Sequence, residues 1–114
     1  MEDCIFCKIA AGEMDTEFLY EDDAVVAFAD ISPMAPVHAL IVPKKHVANV
    51  DEAGPEDREL LGHMIHAAQK LARDLGVSES GYRLVINTGA GAGQTVPHLH
   101  MHLLGGRLLE PRLG

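Results

Sequence analysis

A chain of 114 residues with 47% hydrophobic content is the size of one compact domain and carries enough apolar material for a core without staples, so a single domain over residues 1–114 is expected. The net charge of −8 argues against an extended basic surface for DNA or RNA, though not against a single nucleotide held by backbone amides and a few histidines. No apolar run approaches the ~20 residues of a membrane span, the acidic start Met1-Glu2-Asp3 is unlike a secretory signal, and two cysteines within four residues suit a reducing compartment, which together predict a cytoplasmic protein.

Cys4 to Ala11 reads as a short helix with apolar contacts from Ile5, Phe6 and Ile9 and a stop at Gly12. Phe18 to Glu21 and Ala24 to Ala29 read as strands joined by a tight turn at Asp22-Asp23, because Asp side chains bond nearby backbone. Asp30 to Pro36 holds two prolines and reads as a loop, and His38 to Val42 as a third strand closed by Pro43. Pro55 to Leu75 is the long helix. Proline suits its first position, Glu56, Asp57 and Glu59 suit the positive end of its dipole, and Gly76 suits its end. Leu60, Leu61, Met64, Ile65, Ala68, Leu71, Ala72 and Leu75 recur at helical spacing and mark its buried face. Tyr82 to Asn87 is a fourth strand, Gly89 to Pro97 a glycine-rich loop and His98 to Leu104 a fifth strand, followed by Gly105-Gly106 and a short tail to Gly114. This order predicts an α+β fold: a mostly antiparallel five-stranded sheet covered by one long helix and a short N-terminal helix.

The chemistry concentrates in His98-Leu99-His100-Met101-His102. In a strand, positions i, i+2 and i+4 share a face, so three imidazoles would line one surface. Two uses of such a row compete: a metal site, as alternating histidines can ligate zinc or iron, and nucleophilic catalysis, in which one imidazole attacks while the others orient it or protonate the leaving group. The preceding loop, Asn87 to Thr95, has three glycines that let backbone N–H groups approach an anion, with Gln94 and Thr95 as side-chain donors. Beside three histidines it favours a phosphate ligand. Cys4-Ile5-Phe6-Cys7 places two sulfurs on one helical face, which fits a zinc site or two small buried thiols. A thioredoxin-like redox pair fits less well, since no strand precedes it. His63 and His66 on the long helix and the Lys44-Lys45 pair read as solvated surface.

These residues resemble the histidine-triad superfamily, whose signature is His-x-His-x-His followed by apolar residues. The segments Asp30 to His38, Pro43-Lys44-Lys45-His46, Gly93-Gln94-Thr95-Val96 and Leu104-Gly105-Gly106-Arg107 are similar to its branch of histidine-triad nucleotide-binding proteins, the purine nucleoside phosphoramidases. The resemblance covers nearly the whole chain. It implies a hydrolase of purine nucleoside 5′-phosphoramidates, derivatives of AMP or GMP, with no organic cofactor. His100 would attack the α-phosphorus and form a nucleotidyl-histidine that water then hydrolyses. It also implies that His38 orients the triad and fixes the tautomer of His100, and that His102 helps protonate the leaving amine. Gly93, Gln94 and Thr95 would hold the phosphate or leaving group, Asp30 the ribose hydroxyls and Asn87 the ribose or phosphate side. Ile5, Phe6, Ile9, Phe28 and Ile31 would form the slot for the base. Members with the N-terminal cysteine pair imply a structural zinc on Cys4, Cys7, His46 and His98. A homodimer is implied too. A dinucleoside polyphosphate hydrolase, or a nucleotide-binding scaffold with incidental catalysis, are the alternatives. A nucleotidyl transferase is disfavoured, because that branch replaces the last triad histidine, whereas His102 is present. Two positions depart from the usual pattern: Thr95, where relatives often have serine, and Pro97, where many have an aromatic residue.

Overall fold

A computed structural model describes residues 3–111. The first two residues of the acidic N-terminus and the last three of the tail lie outside the described residues. The elements run α1 (Ile5–Ala10), β1 (Tyr20–Glu21), β2 (Val25–Ala29), β3 (Val37–Pro43), α2 (Arg58–Asp74), β4 (Tyr82–Val85) and β5 (Met101–Gly105), with short 3₁₀ turns at Val50–Glu52, Pro55–Asp57 and Ala90–Ala92. The sheet is antiparallel throughout, in the order β1-β2-β3-β5-β4. The α+β expectation, five strands with two helices, holds.

Strand alternation divides the sheet into two working faces. Val25, Ala27, Ala39, Ile41, Met101 and Leu103 point toward α2 and form the main core with its Met64, Ala67, Ala68, Leu71 and Ala72. Val26, Phe28, Leu40 and Val42 point the other way and form a second cluster with Cys4 and Phe6 at α1. The helices therefore cover opposite faces. α1 is six residues long and leaves much of its face open. That open part is where His38 and His102 sit. Leu40 pairs with His102 and His38 with Leu104, so the two histidines are diagonal neighbours across β3 and β5.

Local chemistry accounts for the ends. The Asp22 carboxylate accepts the N–H groups of Ala24 (2.8 Å) and Val25 (2.9 Å), closing the β1–β2 turn as an aspartate turn does. Cys4 caps α1, its sulfur accepting the N–H of Cys7 at 3.3 Å. Gly76, at φ +75°, ends α2 in the left-handed region that glycine enters without a steric cost.

Several boundaries differ from the sequence reading. The helix expected from Pro55 opens with a 3₁₀ turn and becomes α-helical at Arg58. Its buried stripe is narrower than expected: Ile65 is 53% exposed, because it lies a full 100° round the helix from Met64, on the flank away from the sheet. β1 shrinks to Tyr20–Glu21, and β4 ends at Val85. The fifth strand begins at Met101 rather than His98. The Leu99 N–H bonds to the Val47 carbonyl at 2.6 Å and the His98 N–H turns back to that of Val96 at 2.8 Å, so this stretch bends and is tied to loops and not to a neighbouring strand.

Candidate functional site

The three alternating histidines have three different surroundings. His98 is fully buried. Its Nε2–H donates to the Pro43 carbonyl at 2.8 Å, which leaves Nδ1 bare and facing the sulfurs of Cys4 at 3.1 Å and Cys7 at 3.5 Å. His100 donates its Nδ1–H to the His98 carbonyl at 2.8 Å, so its Nε2 carries a free lone pair. The Phe6 ring packs edge-on against it, centroids 5.0 Å apart.

The state of His102 follows from a chain of partners. The Met34 N–H donates to His38 Nδ1 at 3.0 Å, so the His38 hydrogen is on Nε2. That Nε2–H donates to His102 Nδ1 at 2.9 Å, and the His102 hydrogen is therefore on its own Nε2. His100 and His102, with ring centroids 5.2 Å apart, thus hold complementary tautomers, one a bare lone pair and the other an N–H donor. This differs in detail from what the resemblance implied. The group that fixes the His100 tautomer is the His98 carbonyl, and His38 acts on His102 instead. Burial pushes the imidazolium pKa of His102 below its ordinary value, the nearby His100 and His38 push it further, and Asp30 opposes them. His98 is lowered chiefly by burial as well.

Asp30 follows β2. One carboxylate oxygen accepts the Ser32 N–H at 2.8 Å, and the other lies 3.4 Å from His38 Nε2. Beyond His38 and His102 the open sheet face continues as a groove of about 430 Å³ that Met34, Val85, Asn87 and Leu104 help to line, with Arg83 and Arg107 at its walls. Arg107 donates to the Met34 carbonyl at 3.1 Å and so pins the loop whose N–H sets the His38 tautomer. Neither the Met34 backbone nor Arg83 carried any signal in the sequence. Arg107 did, as the end of the Leu104-Gly105-Gly106-Arg107 segment.

The glycine-rich loop is arranged differently from expectation. The Gln94 side chain is committed to backbone: its Oε1 accepts the Gly89 N–H at 2.8 Å, and its amide donates to the carbonyls of Ala48 (2.8 Å) and Val96 (3.0 Å). It staples the loop shut. Thr95 is exposed, and Gly93 adopts φ +88°, a conformation that side chains resist. Of the five apolar residues expected around the base, Phe6 and Phe28 are buried with ring centroids 5.8 Å apart, Ile9 packs at the edge of their cluster, Ile5 is 37% exposed and Ile31 is almost wholly in solvent.

The second constellation comes together as one group. Cys4, Cys7, His46 and His98 gather from α1, from the segment after β3 and from the approach to β5, with the Cys7 sulfur 3.3 Å from His46 Nδ1. The donor set suits zinc. A tetrahedral zinc with two thiolates and two imidazoles has S···N edges of about 3.5 Å, close to the 3.1–3.5 Å here. The Pro43 carbonyl also holds His98 in the tautomer that leaves Nδ1 free to ligate. Burial and the neighbouring Cys4 sulfur raise the thiol pKa of Cys7, so that thiol resists ionising without a cation beside it.

Two surface expectations need correction. His63 Nε2 bonds the Asp22 carboxylate at 2.6 Å, and Lys44 and Lys45 pair with Glu21 and Asp57. His63 and Lys44 thus tie α2 and the lysine loop to the β1–β2 hairpin, and Lys45 ties that loop to the turn before α2, while His66 is exposed as expected.

A HIT domain family model matches residues 11–109. The purine nucleoside phosphoramidase of Escherichia coli K12 is 48% identical over 112 residues, covering 98% of this chain and 94% of its own. Among solved structures, a HIT family hydrolase from Legionella pneumophila superposes with a TM-score of 0.95 at 49% identity, covering 98% of this chain and all of that one. A Zn-bound histidine triad family protein from Mycobacterium smegmatis superposes at 0.80 with 32% identity, over 93% of this chain and 76% of that one. With a matched domain spanning nearly its whole length and relatives close to half identical end to end, the chain belongs to the HIT domain family.

Proposed function

We propose that this protein, read as a single HIT domain over residues 1–114, is a hydrolase that cleaves the P–N bond of purine nucleoside 5′-phosphoramidates through a nucleotidyl-His100 intermediate. The observation that carries this reading is the pair of complementary tautomers, a bare His100 Nε2 beside a His102 Nε2–H. The likeness to the E. coli phosphoramidase supports it. In the first half-reaction, His100 Nε2 bonds to phosphorus as the P–N bond breaks, and the departing nitrogen takes the Nε2 proton of His102 in its imidazolium form, leaving the ring neutral. In the second, water bonds to phosphorus, the His100–phosphorus bond breaks, and the water proton passes to His102 Nε2. Asp30 accepts from the ribose hydroxyls and Asn87 supports the ribose or phosphate. Gly93 and Thr95 approach the phosphate, Gln94 keeps their loop closed, and Ile5, Phe6, Ile9, Phe28 and Ile31 form the base slot.

Zinc on Cys4, Cys7, His46 and His98 belongs to the same proposal. When bound, it supplies a closed structural tie with no open coordination position. α1 carries both sulfurs and the base-slot residues Ile5, Phe6 and Ile9, so the four ligands hold that slot against the segment bearing His100. We also infer a homodimer, since β4 is an edge strand with unpaired backbone groups and Ile65 is exposed on α2. Among the described residues no helix is long and apolar enough to cross a membrane. That, with the reduced cysteine pair, supports a cytoplasmic location.

A turnover panel on purified protein tests the reading, with metal content and mass in solution measured alongside. Adenosine and guanosine 5′-phosphoramidates should be cleaved faster than diadenosine polyphosphates. Faster cleavage of the polyphosphates would make it a dinucleoside polyphosphate hydrolase, and tight nucleotide binding with negligible turnover would make it a scaffold.

A further inference from the structure

The contact between His38 and His102 poses a proton-placement problem. His38 Nε2 and His102 Nδ1 lie 2.9 Å apart and share one hydrogen. The Met34 N–H occupies His38 Nδ1, which keeps that hydrogen on Nε2. For His102 to become a full imidazolium, a second hydrogen must enter at its Nδ1. Two N–H groups would then face each other with no acceptor between them. The conflict is relieved only if the His38 Nε2–H turns to another acceptor. The Asp30 carboxylate, 3.4 Å from that same nitrogen, is an acceptor in place, and it carries the countercharge as well. Its other oxygen is held by the Ser32 N–H at 2.8 Å, which keeps the group aimed.

We propose that Asp30 is a positioning residue for the leaving-group acid, drawing the His38 Nε2–H away so that His102 can hold the second proton it delivers. This rests on the hydrolase reading and adds to ribose binding a second use of the same carboxylate. The proton inventory closes. Imidazolium His102 gives its Nε2 proton to the leaving nitrogen as the P–N bond breaks and the His100–phosphorus bond forms. The hydrolytic water returns a proton to His102 Nε2 in the second half-reaction. Asp30 never takes the proton itself. It accepts a hydrogen bond and offsets charge throughout.

The surroundings of His102 make such a device necessary. Burial disfavours its charged form, and His100 and His38 add to that. The other charged groups along the groove that His102 lines are Arg83 on β4 and Arg107 and Glu110 in the tail. Both guanidiniums donate to backbone carbonyls, Arg83 to Glu110 and Arg107 to Met34 and Leu108, and both repel an imidazolium. Asp30 is the anion paired with His38.

The test is the titration of His102 in protein without nucleotide, followed by NMR of its ring, in wild type and Asp30→Asn. Asparagine retains an oxygen for the Ser32 turn and turns its NH₂ toward His38, removing both acceptor and charge. The His102 midpoint should move down by about one pH unit, and the alkaline limb of the pH–rate profile, where the acid loses its proton, should move with it. A residue that only binds ribose would change KM and leave both midpoints where they are. That outcome overturns the proposal. In wild type the Asp30 carboxyl carbon resonance should show a step at the His102 midpoint, a reading that needs no variant. The absence of that step also overturns it. Failure of the hydrolase reading looks different, because no phosphoramidate would be turned over while the coupled titration persisted.

Discussion

Replacing Gln94 by alanine separates two roles that the glycine-rich loop allows. As the loop is built, the Gln94 side chain makes three hydrogen bonds to backbone, at 2.8, 2.8 and 3.0 Å. Each is worth about 0.5–1.5 kcal/mol net. The side chain is half-buried, so the released Gly89, Ala48 and Val96 groups regain some hydration. A total loss of about 2 kcal/mol is expected. For a chain of this length that corresponds to a fall in Tm of about 8 °C, at roughly 4 °C per kcal/mol. Gln94→Glu should melt at least as low, because it sets an anion against the two carbonyls that the amide now satisfies. Calorimetric melting beside steady-state kinetics decides the matter. If Gln94→Ala melts within about 1 °C of wild type while kcat/KM drops on the order of a hundredfold, the side chain is a phosphate ligand and the staple argument is refuted.

His100→Ala should lower turnover on the order of 10⁴-fold or more while nucleoside monophosphate binding persists, and rapid quench of wild type should place one nucleotide on His100; a label on another residue contradicts the assignment. Protein purified without chelator should hold about one zinc per chain, and Cys4→Ser/Cys7→Ser should lower Tm more than turnover, since the closed site has structural work to do; loss of turnover with an unchanged Tm would point to a catalytic metal. Burial raises the Asp22 pKa, but hydrogen bonds from Tyr20, the Ala24 and Val25 N–H groups and His63 outweigh it and hold the carboxyl well below the usual carboxylate range. A depressed folded value contributes stability that is present above the unfolded value near about 3.9 and lost as pH falls toward the folded one. Asp22→Asn should therefore be less stable than wild type at pH 7, and the gap measured by urea unfolding should narrow in acid; a gap that stays constant refutes the linkage.

Element order, the row of three histidines and the cysteine pair were legible in local signals: period-two and period-3.6 apolar patterns, turn residues and a Cys-x-x-Cys spacing, whereas Asp30, His38 and His46 entered only through the family resemblance. What was not legible depends on which distant partner a polar group finds. The alternation of His98, Leu99 and His100 reads as strand, but the backbone bends at His98 and the N–H groups of His98 and Leu99 go to Val96 and Val47 instead of a ladder. Gln94 looks like a free donor until Ala48, far back in the sequence, takes its amide. His63 looks solvated until the fold brings Asp22 to it across 41 positions. The His38 tautomer rests on a backbone N–H at Met34, which no side-chain pattern reports.

The spacing of the three histidines has its own physical logic. Leu99, Met101 and Leu103, the residues between and after them, are at most 2% exposed and fixed in the core beneath α2. Cores pack at nearly crystalline density, so these apolar side chains hold the intervening backbone in place. Each ring is then held by a different part of the fold: His98 by Pro43 and the two thiols, His100 by the His98 carbonyl, His102 by His38. The linkage runs in one direction along the chain. Whatever sets His98 sets the carbonyl that His100 depends on, so a disturbance at the cysteine cluster reaches the nucleophile through a single residue. His102 takes its state from the opposite side, through β3 and the Arg107-pinned loop at Met34. Nucleophile and acid can therefore be perturbed separately, although only Met101 stands between them in the chain.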